Sequence, residues 1–336
     1  MKLRVCNDLH IGVQRSAGTT TLSAWNLRQM VLKRFERLMS QALGADTMIL
    51  GDLFDSPVVP MGDWLSTFRI LRNWLLTSNH TLYLVGGNHD ISKTDSVLSS
   101  FQLLCKVLAE LHPENLVAIL EPRATPHGYV ICHLANQDLF DQALSTVPSS
   151  TSTVFAHCNF DNNFATQSDQ SLNLSQEQAD ACPAKHIVIA HEHQTRKIGK
   201  VWIPGNQIVT SVSDCLGSDA KRWTIVEAGQ PRFEKLYDIQ EVFEQMPWDA
   251  LTESDKPFIR VSGQASAAQA PDVVSAISTY RRQSNALVIT NAVKITAEDG
   301  SQVFERSLES VKAFDVMAAL KEFLKPEEFA VVEGVL

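Results

Sequence analysis

Five short stretches of the chain carry side chains suited to holding metal ions: Asp8-Leu9-His10, Gly51-Asp52-Leu53-Phe54-Asp55, Gly87-Asn88-His89-Asp90, Ala156-His157 and Ala190-His191-Glu192-His193. Together they offer two carboxylates (Asp8, Asp52), one amide (Asn88) and four imidazoles (His10, His157, His191, His193). That set is large enough for two divalent ions side by side. Such a pair clamps the attacking and leaving oxygens of an in-line displacement at phosphorus. A donor set of oxygen and imidazole nitrogen without thiolate suits manganese, iron, zinc or magnesium rather than copper, and manganese is the first expectation.

The spacing assigns tasks. Asp8 and His10 are two residues apart, so a strand continuing through them would place both on one face, sharing an ion. Asp-x-His alone is a common surface pair; its company gives it weight. Gly51 lets the backbone turn after a strand, and the two oxygens of Asp52 then address both ions. Asp55 is expected to orient a ligand as a hydrogen-bond acceptor, although a solvated turn residue is nearly as good a reading. Asn88 donates an oxygen without adding charge. His89, beside it, is placed to protonate the leaving oxygen or to stabilise the pentavalent transition state. Asp90 is expected to hold the His89 ring. His191 and His193 alternate about Glu192, which should point away. His157, after Val154-Phe155-Ala156, is expected to supply the seventh donor, and His133, after Tyr129-Val130-Ile131-Cys132, competes for that role. His80, His112, His127 and His186 lack such surroundings.

The elements that must position these residues follow from the hydrophobic pattern. Lys2–Cys6 reads as a strand ending at the first motif. Leu27–Leu43 has helical spacing through Leu27, Met30, Val31, Phe35, Leu38, Met39 and Ala42, opposite Arg28, Lys33, Arg34 and Arg37. Gly44 is its expected C-cap. A strand at Thr47–Leu50, a helix at Trp64–Leu76 and a strand at Thr81–Val85 come next. This alternation predicts an α/β sheet with right-handed crossovers and ligand sites at the strand ends. Beyond Asp90 the chain turns strand-rich, with strands expected at Leu116–Leu120, Gly128–Cys132, Thr153–Ala156, His186–Ala190, Ile208–Val212 and Trp223–Glu227. A short helix is expected near Ser175–Ala179, inside the polar loop region that starts at Asp161. A boundary is expected within Tyr237–Lys256. A strand at Phe258–Val261, a helix at Ala270–Arg281, a strand at Ala286–Ile295 and a helix at Val311–Leu324 follow it.

A length of 336 residues points to two domains. No apolar run approaches the roughly 18 residues that span a membrane. The first motif follows the N-terminus so closely that no removable signal peptide is expected. Six cysteines without a Cys-x-x-Cys pair fit a reducing, intracellular setting. The net charge of −9 speaks against a nucleic-acid binder as a global quantity. Binding depends on the local field, however, and two divalent ions would add positive charge where a phosphate must sit.

Taken together, the five motifs resemble those of the calcineurin-like metallophosphoesterase superfamily, in that family's order across Asp8–His193. In closer detail, Gly51-Asp52-Leu53-Phe54-Asp55-Ser56-Pro57 and Ile203-Pro204-Gly205-Asn206 with Ser211-Val212-Ser213 are similar to the nuclease subunit of the SbcCD complex. That protein is the bacterial and phage relative of the Mre-type DNA-repair nucleases. The resemblance implies a β-sandwich flanked by helices over residues 1–236 and a small α/β capping domain over 237–336. It implies a first metal at Asp8, His10, Asp52 and His193, a second at Asp52, Asn88, His157 and His191, and His89 as the catalytic histidine. Ala190 stands where the family has glycine, and Asn206 where the branch has serine.

The resemblance also implies a two-metal nuclease that processes DNA ends in repair and recombination, in the cytoplasm of a bacterial cell or phage-infected host. A homodimer and an SbcC/Rad-type coiled-coil ATPase are the implied partners, with no membrane. Val311–Leu324 is a candidate docking helix for that ATPase, against the plainer reading that it packs on its own domain. Arg196, Lys197 and Lys200 directly follow the last ligands and are candidate contacts to DNA phosphates, at even odds with a solvated turn. Lys221-Arg222 and Arg281-Arg282 are weaker candidates. The rival enzyme is a metallophosphatase or cyclic-nucleotide phosphodiesterase acting on a small molecule or protein. A non-catalytic binding subunit is disfavoured because no ligand position is missing.

Overall fold

The computed structural model describes residues 1–15, 17–92, 97–162 and 171–296. The expected helix at 311–324 lies outside the described residues. The chain divides into two units. The first is Met1–Glu244 with Ser254–Arg260 and Asn285–Thr290, so it extends past the expected limit at 236 and takes up two later segments.

The first unit is built on two six-stranded sheets. In one, β1 (Lys2–Cys6), β2 (Asp46–Leu50), β3 (Leu82–Val85) and β4 (Leu116–Ile119) are parallel neighbours. β13 (Ala220–Glu227) and β14 (Gln230–Asp238) extend it antiparallel on the β1 side. The other has the order β11-β12-β10-β7-β6-β5, from Arg196–Ile198, Val201–Ile203, His186–Ala190, Thr153–His157, Gly128–Ile131 and Arg123–Thr125. Its four central strands are parallel. A small pair, β8 (Asn159–Phe160) and β9 (Asn173–Leu174), lies apart.

Alternation along the strands builds the layers. Leu3, Val5, Met48, Leu50, Tyr83 and Val85 meet Val130, Phe155, Val188 and Ala190 in a core shared by both sheets. The opposite face of the first sheet, with Ile49, Leu82 and Leu84, is covered by helices α1 (Thr21–Gln41), α2 (Met61–Thr77) and α3 (Ser100–Leu111). That of the second, with Val154, Ala156, Ile187 and Ile189, is covered by α4 (Gln137–Ser145) and α5 (Gln176–Ala181). The result is a helix-flanked β-sandwich, the fold expected from the motifs. β2, β3, β7 and β10 all run to the motif loops, which therefore gather at the C-terminal ends of the parallel strands.

Several expectations need correction. α3 and α4 were not anticipated, nor was β14 after the expected last strand. α1 starts at Thr21, where Thr20 and Ser23 form a capping box. It ends at Gln41 with Ala42 at the cap, so Gly44 does not close it. Ile208–Val212 is a buried loop rather than a strand. Its amides at Thr210 and Ser211 donate to the Asp214 carboxylate (2.8 and 2.9 Å), which takes the place of a sheet ladder.

The second unit comprises Gln245–Glu253, Val261–Ser284 and residues from Asn291 onward. Strands β15 (Phe243–Pro247), β16 (Phe258–Ser266) and β17 (Val288–Thr296) form a three-stranded sheet. α6 (Ala270–Gln283) buries Val273, Ile277 and Tyr280. Among the described residues no helix is long and apolar enough to cross a membrane. All six cysteines are free and buried.

Candidate metal centre

Strand β1 stops at Cys6, so Asp8 and His10 do not share a strand face as expected. Both lie in the left-handed region of backbone space, with φ of 51° and 47°. The segment is zipped instead to the second motif. Asp8 N donates to Gly51 O (3.1 Å), Leu9 N to Asp52 O (2.8 Å) and Ile11 N to Leu53 O (2.9 Å). Asp52 (φ 52°) and His191 (φ 93°) are also left-handed. These four ligand candidates are among only six non-glycine residues with positive φ among the described residues. Each such conformation costs about 1–3 kcal/mol and persists only where surrounding bonds enforce it, as at functional sites.

Two glycines permit the close packing. A Cβ on Gly51 would overlap the His157 ring, and one on Gly87 would overlap the carboxylate and backbone nitrogen of Asp52. Both motifs thus need glycine for close approach.

All seven expected donors come together. Asp8, Asp52, His157 and His191 present ligand atoms within 4.8 Å of one another, as do Asp8, His10 and His193, and also His10, Asp52 and His89. The Asn88 Oδ1 lies 2.9 Å from His157 Nε2 and 3.0 Å from His191 Nδ1. The Nε2 atoms of His10 and His193 face each other at 3.1 Å. Asp8 therefore stands with both groups of donors, although the motif resemblance had assigned it to one metal. His133 joins none of these clusters; its backbone N–H donates to Gly86 O.

The orienting partners fix tautomers. A carbonyl oxygen only accepts, so His157 Nδ1 carries the proton it shares with Leu50 O (3.0 Å), leaving Nε2 for a ligand bond. His193 Nδ1 meets Asp214 Oδ1 at 2.8 Å, and His10 Nδ1 lies 3.3 Å from Asp55 Oδ1, so Asp55 takes the orienting place read from its motif. His89 Nδ1 donates to the backbone oxygen of Asp55 (2.7 Å). Asp90 does not hold His89. It is fully buried and accepts from the backbone of Leu53, Phe54 and Gly87, tying the second motif to the third. Glu192 points away as expected, accepting from Phe160 N and pairing with Arg196.

Sequence reasoning missed Asp214, which sits in a single 3-10 turn, Ser213–Cys215, past the last motif. It also missed a polar brace under the site. Asn7 Nδ2 bonds Asp8 and Gly205 O, while buried Lys221 reaches His193 O (3.3 Å) and Asn206 Oδ1. Asn206 thereby gains a role as the acceptor for Lys221.

Charge is balanced within the cluster. Burial opposes charge on His157, but Asp52 and Asp8 outweigh it and raise its pKa to about 9. Burial likewise opposes charge on His10, but the adjacent Asp55 carboxylate and the Asp52 and Asp8 charges raise it to about 9. Asp52 and Asp214 lie well below the usual carboxylate range, because neighbouring histidines overcome the cost of burial. Burial and the Asp52 charge push Asp90 up to about 7 against its three backbone donors. A divalent ion would replace the protons in these negative surroundings. The residues fit one, since Asp8 Oδ1 is buried without a hydrogen-bond partner among imidazole nitrogens that face one another. The Asp/His cluster is thus suited to a divalent metal centre.

The three basic candidates beside the last motif are already engaged. Arg196 pairs with Glu192 (2.6 Å), Lys197 Nζ lies 4.1 Å from the Trp202 ring centroid, and Lys200 Nζ donates to Cys182 O (2.7 Å). They lie within the β11–β12 hairpin, Arg196 and Lys197 in its first strand and Lys200 in its turn. A cleft of about 590 Å³ opens beside His193, lined among others by Asn159, Glu192, Gln194, Arg196 and Asp214.

The sequence model of the calcineurin-like phosphoesterases matches residues 1–195, more than half of the chain and all five of the metal-site motifs. The chain belongs to the calcineurin-like phosphoesterase family. Metal-dependent hydrolysis of phosphoesters is the activity that membership implies. No curated protein matches the sequence. Among solved structures, a novel archaeal phosphodiesterase is 12% identical, with 70% of this chain and 100% of that one covered and a TM-score of 0.33. The TT1561 protein of Thermus thermophilus is 12% identical over 70% of this chain and 98% of its own, with a TM-score of 0.39. Likenesses this loose carry no argument about this phosphoesterase's activity.

Proposed function

We propose that this phosphoesterase is a two-metal phosphodiesterase whose substrate is DNA. The observation that carries the two-metal reading is that Asp8 and Asp52 each belong to two of the converging donor groups. Two divalent ions sharing these carboxylates would neutralise the phosphate's oxygens and align it for in-line displacement. His89 stands at the edge, its ring centroid 5.0 Å from that of His10. With Nδ1 committed to the Asp55 carbonyl, its Nε2 can donate to a leaving oxygen only from the imidazolium form. Asp55 thus serves both rings, through its carboxylate and through its backbone.

Support for DNA comes from the wording around the motifs, Asp52-Leu53-Phe54-Asp55-Ser56-Pro57, and from the α/β unit that follows the phosphoesterase unit. We also carry forward, as proposals resting on the same resemblance, manganese as the working metal, a homodimer, and a coiled-coil ATPase partner. The test is parallel hydrolysis of end-labelled DNA and a chromogenic phosphomonoester with manganese, using His89→Ala as the control. DNA cleavage that falls about 10²–10⁴-fold in the variant, with metal content unchanged, is the expected result. Turnover of the monoester alone would replace the nuclease with the phosphatase reading.

A further inference from the structure

The cations next to the metal centre are tied to protein partners, but another set is not. Lys33 and Arg37 lie one turn apart on α1, and Arg69 and Arg72 lie at the corresponding spacing on α2. All four are exposed, and among the described residues none takes part in an ion pair. Arg34 joins them, its guanidinium stacked 4.9 Å from the Tyr237 ring centroid.

Two adjoining grooves run along four of these side chains, all but Arg72. One, of about 540 Å³, is lined by Lys33, Arg37 and Arg69; the other, of about 460 Å³, by Lys33, Arg34 and Arg37. Lys33 and Arg37 form the ridge common to both. Glu36 and Glu241 are the carboxylates of the two grooves. Four lining cations (Lys33, Arg34, Arg37 and Arg69) against two carboxylates, with Arg72 three residues on from Arg69, reverse the balance of a chain in which 38 acidic residues outnumber 29 basic ones. Local fields of this kind decide where a polyanion rests.

The place in the fold separates the first groove from the centre. The first groove reaches Ser40 and Thr77, near the C-terminal ends of α1 and α2. Those ends lead into the starts of β2 and β3, whereas the motif loops follow the far ends of the same strands. The first groove therefore lies on the outer helical layer, toward the opposite end of the first sheet, while the second runs back to Gln207 and Tyr237, on the side where Asn7 and Lys221 brace the site.

We propose that this ridge is a second nucleic-acid contact, one that holds the sugar–phosphate backbone of a duplex without reading its sequence. The proposal rests on the DNA reading of the preceding section. Arginines offer paired donors to phosphate oxygens, and lysine a mobile point charge. Among the described residues no aromatic ring of the two grooves is free to stack unpaired bases, since Trp74 is 2% exposed and Tyr237 lies against Arg34. A single strand would need such a platform; a duplex backbone does not.

The test is binding of a labelled blunt duplex of mixed sequence in EDTA, over a series of salt concentrations. The variant Lys33→Gln/Arg37→Gln/Arg69→Gln/Arg72→Gln should bind at least about tenfold more weakly near 0.1 M salt, and its salt slope should shrink by about 3–4. Hydrolysis of a small chromogenic phosphodiester should stay at the wild-type rate. Glu36→Lys should tighten binding and steepen the slope by about 1, a gain that misfolding cannot mimic. Wild-type slope and affinity in the quadruple variant would overturn the ridge alone and leave the nuclease reading intact. A wild-type protein that binds no duplex, or binds only phosphatidylserine vesicles, would overturn the ridge and the DNA substrate together.

Discussion

The two halves of the metal centre are held by different means. His10 and His193, which face each other across 3.1 Å, are oriented by side-chain carboxylates, Asp55 and Asp214. His157, in the half with Asn88 and His191, is oriented by a backbone carbonyl, that of Leu50. A carboxylate partner makes an imidazole a more basic ligand and can be lost by one substitution. A backbone partner adds less basicity and is not removed by changing its residue. One half is thus tunable and the other is fixed by the fold.

The largest effect should come where the halves meet. Asp52→Asn removes a charge that faces both, so metal analysis should find occupancy lost in each half and phosphoester hydrolysis reduced about 10³-fold or more. Loss confined to one half would show that Asp8 alone joins them. Next is Asp214→Asn, which leaves every donor in place. Affinity for one ion should drop about 10–100-fold while the other is retained, as read by calorimetric titration. The matching change in the fixed half, Leu50→Ala, should lower thermal stability by about 2–5 kcal/mol of lost packing and leave metal affinity near wild type. Equal metal loss in both variants would erase the distinction.

The smallest effect is a pH dependence that the halves should share. His10 and His157, one in each half, have pKa values raised to about 9, so both carry a proton at neutral pH in the metal-free protein. Binding must displace those protons, and apparent metal affinity should therefore climb with pH and level off above about 9. Proton release measured in buffers of different ionisation heat checks this. Release from one half only would sharpen the contrast between them.

What was legible in the sequence was chemistry at the ends of apolar runs. Asp52, Asn88, His157 and His191 could be read because a strand or its glycine fixes where the next side chain starts. Asp8 and His10 were read correctly as neighbours but for a reason that fails, since two left-handed residues, not a strand face, bring them in. Asp214 was hidden because its partner, His193, is distant in sequence and a lone aspartate in a polar turn looks solvated. Asp90 misled because adjacency to His89 suggested a side-chain bond, whereas burial sends its carboxylate to three backbone amides. α3 escaped notice although Ser99 and Gln102 spell a capping box before an apolar run. The unpaired cations of α1 were visible from the start as its polar face, but only the groove they share with α2 distinguishes them from an ordinary wet surface.

The donors are also divided between the sheets. Asp8, His10, Asp52 and Asn88 follow strands of the first, while His157, His191 and His193 belong to the second. Ions bound among them would therefore act as a clasp across the sandwich, fastening its open rim. Ligation that requires both sheets in register adds its binding free energy to the cooperativity of the whole unit, by RT ln(1 + [L]/Kd) for each ion. Chelation should then speed amide exchange along β2 and β10 together, so that the resistance of this unit to opening becomes a gauge of its metal supply.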